Sequence, residues 1–220
     1  MRFVVLDTET TGLKVEEGHR LIEIGCVECI DRRVTERQFH VYLNPEREVD
    51  EGATQVHGMT WDHLKDKPLF AEVAQDFLGF VRDAHVVIHN AEFDRGFLDT
   101  ELKRLGLPPF ADHVARVIDS LGFARELHPG QRNSLDALCQ RYTINNEHRT
   151  FHGALLDARL LADVYLAMTR GQESLAISAD DGAGGQGLNL QSLDLSQLVV
   201  RRASSEEKQR HDQIVQALKR

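Results

Sequence analysis

The stretch Val4-Val5-Leu6-Asp7-Thr8-Glu9-Thr10-Thr11-Gly12 limits what this chain can fold into more than any other. The apolar, mostly β-branched run Phe3 to Leu6 predicts a strand buried on both faces, and Asp7 and Glu9 stand where that strand should end. Side chains at i and i+2 of an extended segment point the same way, so both carboxylates aim at one spot. Like charges that close raise each other's pKa unless a cation lies between them. Converging hard oxygen ligands suit Mg²⁺ or Mn²⁺. The same residues also suit a surface turn, in which Asp7 and the threonines bond the local backbone. The rest of the chain has to decide between the two.

At 220 residues the chain is long enough for one well-buried domain and an appendage. Its 41% hydrophobic and 28% charged residues are ordinary for a globular protein outside the membrane. No apolar run approaches the roughly 20 residues needed to span a bilayer, and a strand beginning after two residues leaves no room for a signal peptide. Both point to the cytoplasm. Cys26 and Cys29 have C-x-x-C spacing but fall inside a predicted strand, where residues three apart face opposite sides. They and Cys139 therefore read as small apolar residues, not as a disulfide or metal set. A net charge of −9 argues against an autonomous nucleic-acid binder, since nonspecific affinity comes mostly from Lys and Arg on phosphates. Any nucleic acid has to be held by a local site, by metals or by a partner.

Taken in order, Leu21 to Ile30 predicts a second strand, Asp31-Arg32-Arg33 a short turn and Gln38 to Leu43 a third, antiparallel strand. From Asn44 to Lys67 the pattern is irregular. Phe70, Val73, Ala74, Phe77, Leu78 and Val81 recur at helical spacing after Pro68. His85 to His89 is a fourth, β-branched strand, parallel to the first because a helical crossover precedes it. A helix from Phe93 to Leu105 stops at Gly106, Val114 to Ile118 is a fifth strand, and Ser120–Leu127, Ser134–Tyr142 and Gly153–Met168 are helices. Ser134 and Asp136 suit a cap and a first turn. An antiparallel meander followed by β–α–β–α units gives an α/β fold, a mixed five-stranded sheet flanked by helices. Composition breaks at Ser178 to Gly187, a linker sequence, so the domain ends near residue 172.

Two further carboxylates join the first pair. Asp94 lies in the first turn of the helix after the fourth strand, where the helix dipole alone would favour it. A parallel strand beside the first, however, delivers its carboxyl end next to Asp7 and Glu9, where open sheets collect ligands. Asp157 is a charge on a helix filled by Leu155, Leu156, Leu160, Leu161, Val164 and Leu166. Such a charge needs a partner, either a metal or a neighbour such as Arg159. His152 precedes that helix beside Gly153. It is either a polar loop residue or, beside a metal cluster, a candidate base, since histidine titrates near neutral pH.

DTETTG, HNAEFDxGFL and HGALLDA, in that order over residues 7 to 158, resemble the three exonuclease motifs of the DEDDh (DnaQ-like) 3′→5′ exonucleases. KPLFAEVAQDF, PGQRNSLDALCQRY and LADVYLAMTRGQ further resemble the epsilon (proofreading) subunit family of bacterial DNA polymerase III. The resemblance implies a ribonuclease-H-like fold over residues 1–172 and two divalent ions, Mg²⁺ or Mn²⁺. It assigns Asp7, Glu9, Asp94 and Asp157 as ligands and His152 as general base, the layout of two-metal phosphodiester hydrolysis. It also implies that Thr8, Thr10, Gly12 and Leu13, with Asp7, Glu9, Asp157 and His57, hold the terminal nucleotide of a DNA 3′ end. One departure stands out. Where the family has V-D-P-E-A, this chain has Val49-Asp50-Glu51-Gly52-Ala53, so Gly52 replaces a substrate-facing glutamate and Glu51 is the candidate substitute.

Gln172-Glu173-Ser174-Leu175-Ala176-Ile177 resembles a sliding-clamp-binding peptide, with Gln172 for a polar pocket and Leu175 and Ile177 for an apolar one. With the linker it occupies residues 172–187. Residues 188–220 are too few to build a core and read as a tail that folds on a partner. The resemblance makes that partner the catalytic (alpha) subunit of DNA polymerase III, and some relatives add a small theta-like subunit. The leading expectation is a proofreading exonuclease. An RNA-trimming exonuclease of the same superfamily shares the chemistry but not the tail, and a silent polymerase–clamp adaptor would not need the carboxylates.

Overall fold

Asp31 and Arg32 both take the left-handed conformation (φ 47° and 62°), and this two-residue reversal shapes one end of the sheet. Such a turn matches the twist of two antiparallel strands. It costs an arginine some strain, which two hydrogen bonds from its guanidinium, to Thr169 Oγ1 (2.9 Å) and the Leu166 carbonyl (2.8 Å), help to offset. Strand pairing therefore resumes at once. β2 spans Leu21–Ile30 as the pattern predicts, but β3 spans Arg33–Tyr42, five residues earlier at its start than the alternation indicated. Exposed Arg33, Val34, Glu36 and Arg37 hide the period, because an edge strand need bury neither face fully.

The computed structural model describes residues 1–146 and 151–170, all within the first of two units, Met1–Ala176, into which the chain divides. β1 (Arg2–Thr10) runs antiparallel to β2 and parallel to β4 (His85–Ile88), which pairs in parallel with β5 (Arg116–Asp119). The order is β3-β2-β1-β4-β5, the mixed sheet expected. β1 does not end at the carboxylates. Asp7 still pairs with Gly25 and Glu9 with Glu23, so the pair stands on ordered strand and not on a turn.

Seven α-helices are described: α1 (Glu51–His57), α2 (Trp61–Leu64), α3 (Phe70–Val81), α4 (Ala91–Arg104), α5 (Ser120–Leu127), α6 (Leu135–Arg141) and α7 (Ala154–Met168). The first two interrupt the segment that reads as irregular. Each has two turns or fewer, too short to show a 3.6-residue period, and α1 stops at Gly58 (φ 74°). The alternation of β1 divides the core. Val4 and Leu6 pack with Cys26, Phe77, Phe97 and Leu98 under α3 and α4. Val5 packs with Cys29, Leu138, Leu161 and Val164 under α5, α6 and α7. Cys26 and Cys29 thus lie on opposite faces as inert buried thiols. Burial pushes the Cys29 thiol up to about 11 and Cys26 higher still.

Among the described residues no helix is long and apolar enough to cross a membrane. Gln172, Leu175 and Ile177, the linker and the tail at 188–220 lie outside the described residues.

Candidate active site

Three elements meet at the carboxyl end of β1. Asp7 and Glu9 share the face of the sheet on which Val5 packs under α7. On the neighbouring strand, Gly25 lies directly opposite Asp7. A Cβ there would fall 2.3 Å from the Ala154 carbonyl carbon and the Leu155 nitrogen. Only glycine lets the first turn of α7 rest on the strand backbone, and that contact brings Asp157 down to the pair. Glu23, opposite Glu9, fixes the same turn: its buried Oε2 accepts a hydrogen bond from the Ala154 N–H (3.1 Å), while Oε1 lies 2.7 Å from His40 Nε2. Gly153 offers no capping side chain, so a strand residue satisfies the helix end.

Asp94 arrives from the other side. After β4 the chain turns through Asn90 (φ 66°), and Asp119 Oδ1 accepts from the N–H groups of Asn90 (3.1 Å) and Ala91 (3.4 Å), ordering the start of α4. Asp94 is 4% exposed and accepts a 2.7 Å hydrogen bond from Thr8 Oγ1. Burial pushes its carboxyl up to about 7, although the Thr8 bond favours the ion.

His152 stands just before α7 with its side chain 45% exposed, and its Nδ1 lies 3.4 Å from Asp157 Oδ2. The His152 backbone N–H donates to the Val56 carbonyl (3.1 Å), tying this segment to α1. Arg159, the alternative partner for Asp157, instead donates to Gln38 (2.5 Å). All four carboxylates and His152 line one pocket of about 260 Å³. Ligand atoms of Glu9, His152 and Asp157 lie within 4.8 Å of one another, whereas Asp7 and Asp94 stand outside that tightest group. No Lys or Arg lines the pocket among the described residues. A concentration of carboxylates with hard oxygen donors, one of them buried and raised in pKa, fits divalent cations, whose charge would favour the ionised form.

A second pocket, about 360 Å³, adjoins the first and shares Thr8, Glu9 and Phe93 with it. Thr10, Gly12, Leu13 and His57 line it, and Leu13 stands 81% exposed. Its loop is braced. Thr10 Oγ1 donates to the Gly12 carbonyl (2.7 Å), and a side chain on Gly12 would collide with the buried His19 ring. His19 in turn lies 3.0 Å from Thr11 Oγ1 and 3.4 Å from Asp50 Oδ2. Burial pushes His57 down, and its Nδ1 accepts from the Met59 N–H (3.1 Å). Gly52 and Asp50 line this pocket, while Glu51 is exposed and is not among the residues that line it.

The sequence singles out Asp7, Glu9, Asp94 and Asp157, but not Glu23, Gly25 and Phe93, nor His89 and Asp136, which line the same pocket. Two of these carried a signal. Glu23 is a charge inside an apolar strand, and Gly25 is a glycine in a strand interior, a mark of close backbone approach. Nothing distinguished Phe93 from a core aromatic.

Comparison with known proteins agrees with this architecture. The family model described as Exonuclease matches residues 4–165. DNA polymerase III subunit epsilon of Pasteurella multocida is 55% identical over 178 residues, covering 79% of this chain and 70% of that protein. Its Escherichia coli K12 counterpart is 51% identical over 208 residues (92% and 84%), and that of Rickettsia typhi 42% over 219 (98% and 96%). Among solved structures, Exonuclease X in complex with 5′-overhanging duplex DNA superposes with a TM-score of 0.59 at 25% identity, over 76% of this chain and 90% of that one. E. coli exonuclease I with single-stranded DNA gives 0.69 at 18% identity, over 79% and 41%, a likeness of fold.

Proposed function

Because the chain belongs to the Exonuclease family, we propose that it works as the proofreading 3′→5′ exonuclease subunit of a replicative DNA polymerase III, removing mispaired nucleotides from DNA 3′ ends. One observation carries the reading: Asp7, Glu9, Asp94, Asp157 and His152, together with Asp136 and His89, line a pocket that adjoins a second, braced pocket. The terminal nucleotide occupies the second pocket, its base against Leu13 and its sugar against the backbone of Thr10 to Gly12. His57, held largely neutral by burial, presents an imidazole there without adding charge.

Asp7, Glu9, Asp94 and Asp157 would hold two divalent ions, Mg²⁺ or Mn²⁺. When bound, such ions neutralise charge on the phosphate and lower the pKa of water. The Nδ1 of His152 lies 3.4 Å from Asp157 Oδ2, and in this reading its Nε2 takes the proton from the attacking water. The water oxygen bonds to phosphorus, the P–O3′ bond breaks, the 3′ oxygen takes a proton from solvent, and a 5′-mononucleotide leaves. His152 lies on a half-exposed segment, so a bound 3′ end can bring it into line.

The acidic domain needs partners to supply its grip. Residues 188–220 bind the polymerase catalytic (alpha) subunit, Gln172, Leu175 and Ile177 bind the sliding clamp, and a small theta-like subunit completes the assembly. Tethering raises the local concentration of the primer end.

Hydrolysis of a 5′-labelled primer with paired or mispaired 3′ ends tests the catalytic reading. Stepwise release that needs Mg²⁺ or Mn²⁺, is faster from the mispaired end and falls roughly 10³-fold or more in Asp7→Ala is expected. Preference for RNA, or activity that survives chelation, overturns it.

A further inference from the structure

The carboxylate pocket has two neighbours. It shares Thr8, Glu9 and Phe93 with the nucleotide pocket and Asp136 with a third pocket of about 470 Å³, while the two outer pockets share no residue. The three therefore form a series with the carboxylates in the middle. A strand whose last nucleotide fills one outer pocket, with its last phosphodiester at the carboxylates, extends towards the other. Arg132, Asp136, Ala137, Gln140 and Arg141 line that far pocket.

Arg132 is exposed there, and its guanidinium makes no hydrogen bond or ion pair among the described residues. Its backbone, by contrast, is firmly held. Arg141 donates to the Arg132 carbonyl (2.8 Å) and to Asn133 Oδ1 (3.0 Å). Asn133, only 7% exposed, donates to the carbonyls of His128 (3.3 Å) and Gln131 (3.1 Å). The pocket's one carboxylate, Asp136, already accepts a 3.0 Å hydrogen bond from Asn146. An unengaged guanidinium on a braced loop, beside a site that cuts phosphodiesters, matches the forked geometry of a phosphate.

We propose that Arg132, with Arg141 holding its loop, binds the phosphodiester backbone of the nucleotides upstream of the bond to be cut. The assignment rests on the exonuclease reading above. It gives an acidic chain a local cationic hold on a strand that it would otherwise repel.

The test compares an oligonucleotide with the p-nitrophenyl ester of thymidine 5′-monophosphate, which has no upstream phosphate. Arg132→Ala raises the KM for the oligonucleotide about tenfold, the value of one charge-assisted contact, with kcat held. Arg132→Lys recovers part of it. The slope of log KM against log salt becomes shallower by about 0.7, one phosphate contact on a single strand. Equal losses on both substrates, or no change on the oligonucleotide, overturn the proposal. Failure of the unsubstituted protein to cleave either substrate sinks the exonuclease reading instead.

Discussion

Asp94 couples the candidate site to pH. Its carboxyl ordinarily titrates at 3.8 and burial holds it near 7 in the folded chain. The folded state therefore binds this proton more tightly than the unfolded one. The stabilisation is complete below about pH 4 and is lost as pH rises through 7. Cations bind only the ionised carboxylate, so they restore most stability where the proton is already lost. In chelator, Tm should fall between pH 5 and 8, and Mn²⁺ should raise it more at pH 8 than at pH 6. Asp94→Asn should flatten the fall in chelator and remove much of the Mn²⁺ increment. An equal Mn²⁺ increment at both pH values would show that Asp94 titrates elsewhere. The position of Asp94 in a first helical turn is legible from its spacing after β4. Its environment is not, because the hydroxyl that meets it belongs to Thr8, 86 residues earlier in the chain.

At the scale of elements, α7 decides whether there is a site at all. Gly25→Ala places a methyl 2.3 Å from its backbone, so the helix must move by about 1 Å to reach ordinary contact. A displacement of that size costs on the order of 10²-fold in rate, and thermal unfolding should still be cooperative. Glu23→Gln keeps an acceptor for the Ala154 N–H and should be mild, while Glu23→Ala should lower kcat more than it changes KM. Equal activity of Gly25→Ala and the unsubstituted protein would show that α7 is positioned by other contacts. The strands best placed from the sequence are the buried ones: β2 matches to the residue and β4 within one, because burial keeps them mostly apolar, although Glu23 and Glu28 interrupt β2. β3, α1 and α2 were misjudged because an edge strand and very short helices carry little apolar period. The docking of α7 could not be read from periodicity, since it depends on the absence of a side chain one strand away.

Across the whole molecule, 35 acidic residues against 26 basic ones disfavour unaided encounter with DNA, which is the reason for the tethering proposed above. Deleting residues 178–220 should abolish co-purification with the polymerase while hydrolysis of free single strands is kept within about threefold, since the tether adds only effective concentration. Loss of both would contradict the division of labour. Composition alone suggests a domain boundary and a tail, on residues that lie outside the described ones, whereas partner identity comes only through resemblance. The sheet order has a consequence for the birth of the protein. β1 and β2 can pair early, but Asp94 and then Asp157 follow much later in the chain. On the ribosome, a domain built from its amino end has no complete set of carboxylates until α7 emerges. With the ligand set proposed above, the cutting chemistry is assembled only once α7 has emerged, and a product cut short before α7 would lack it.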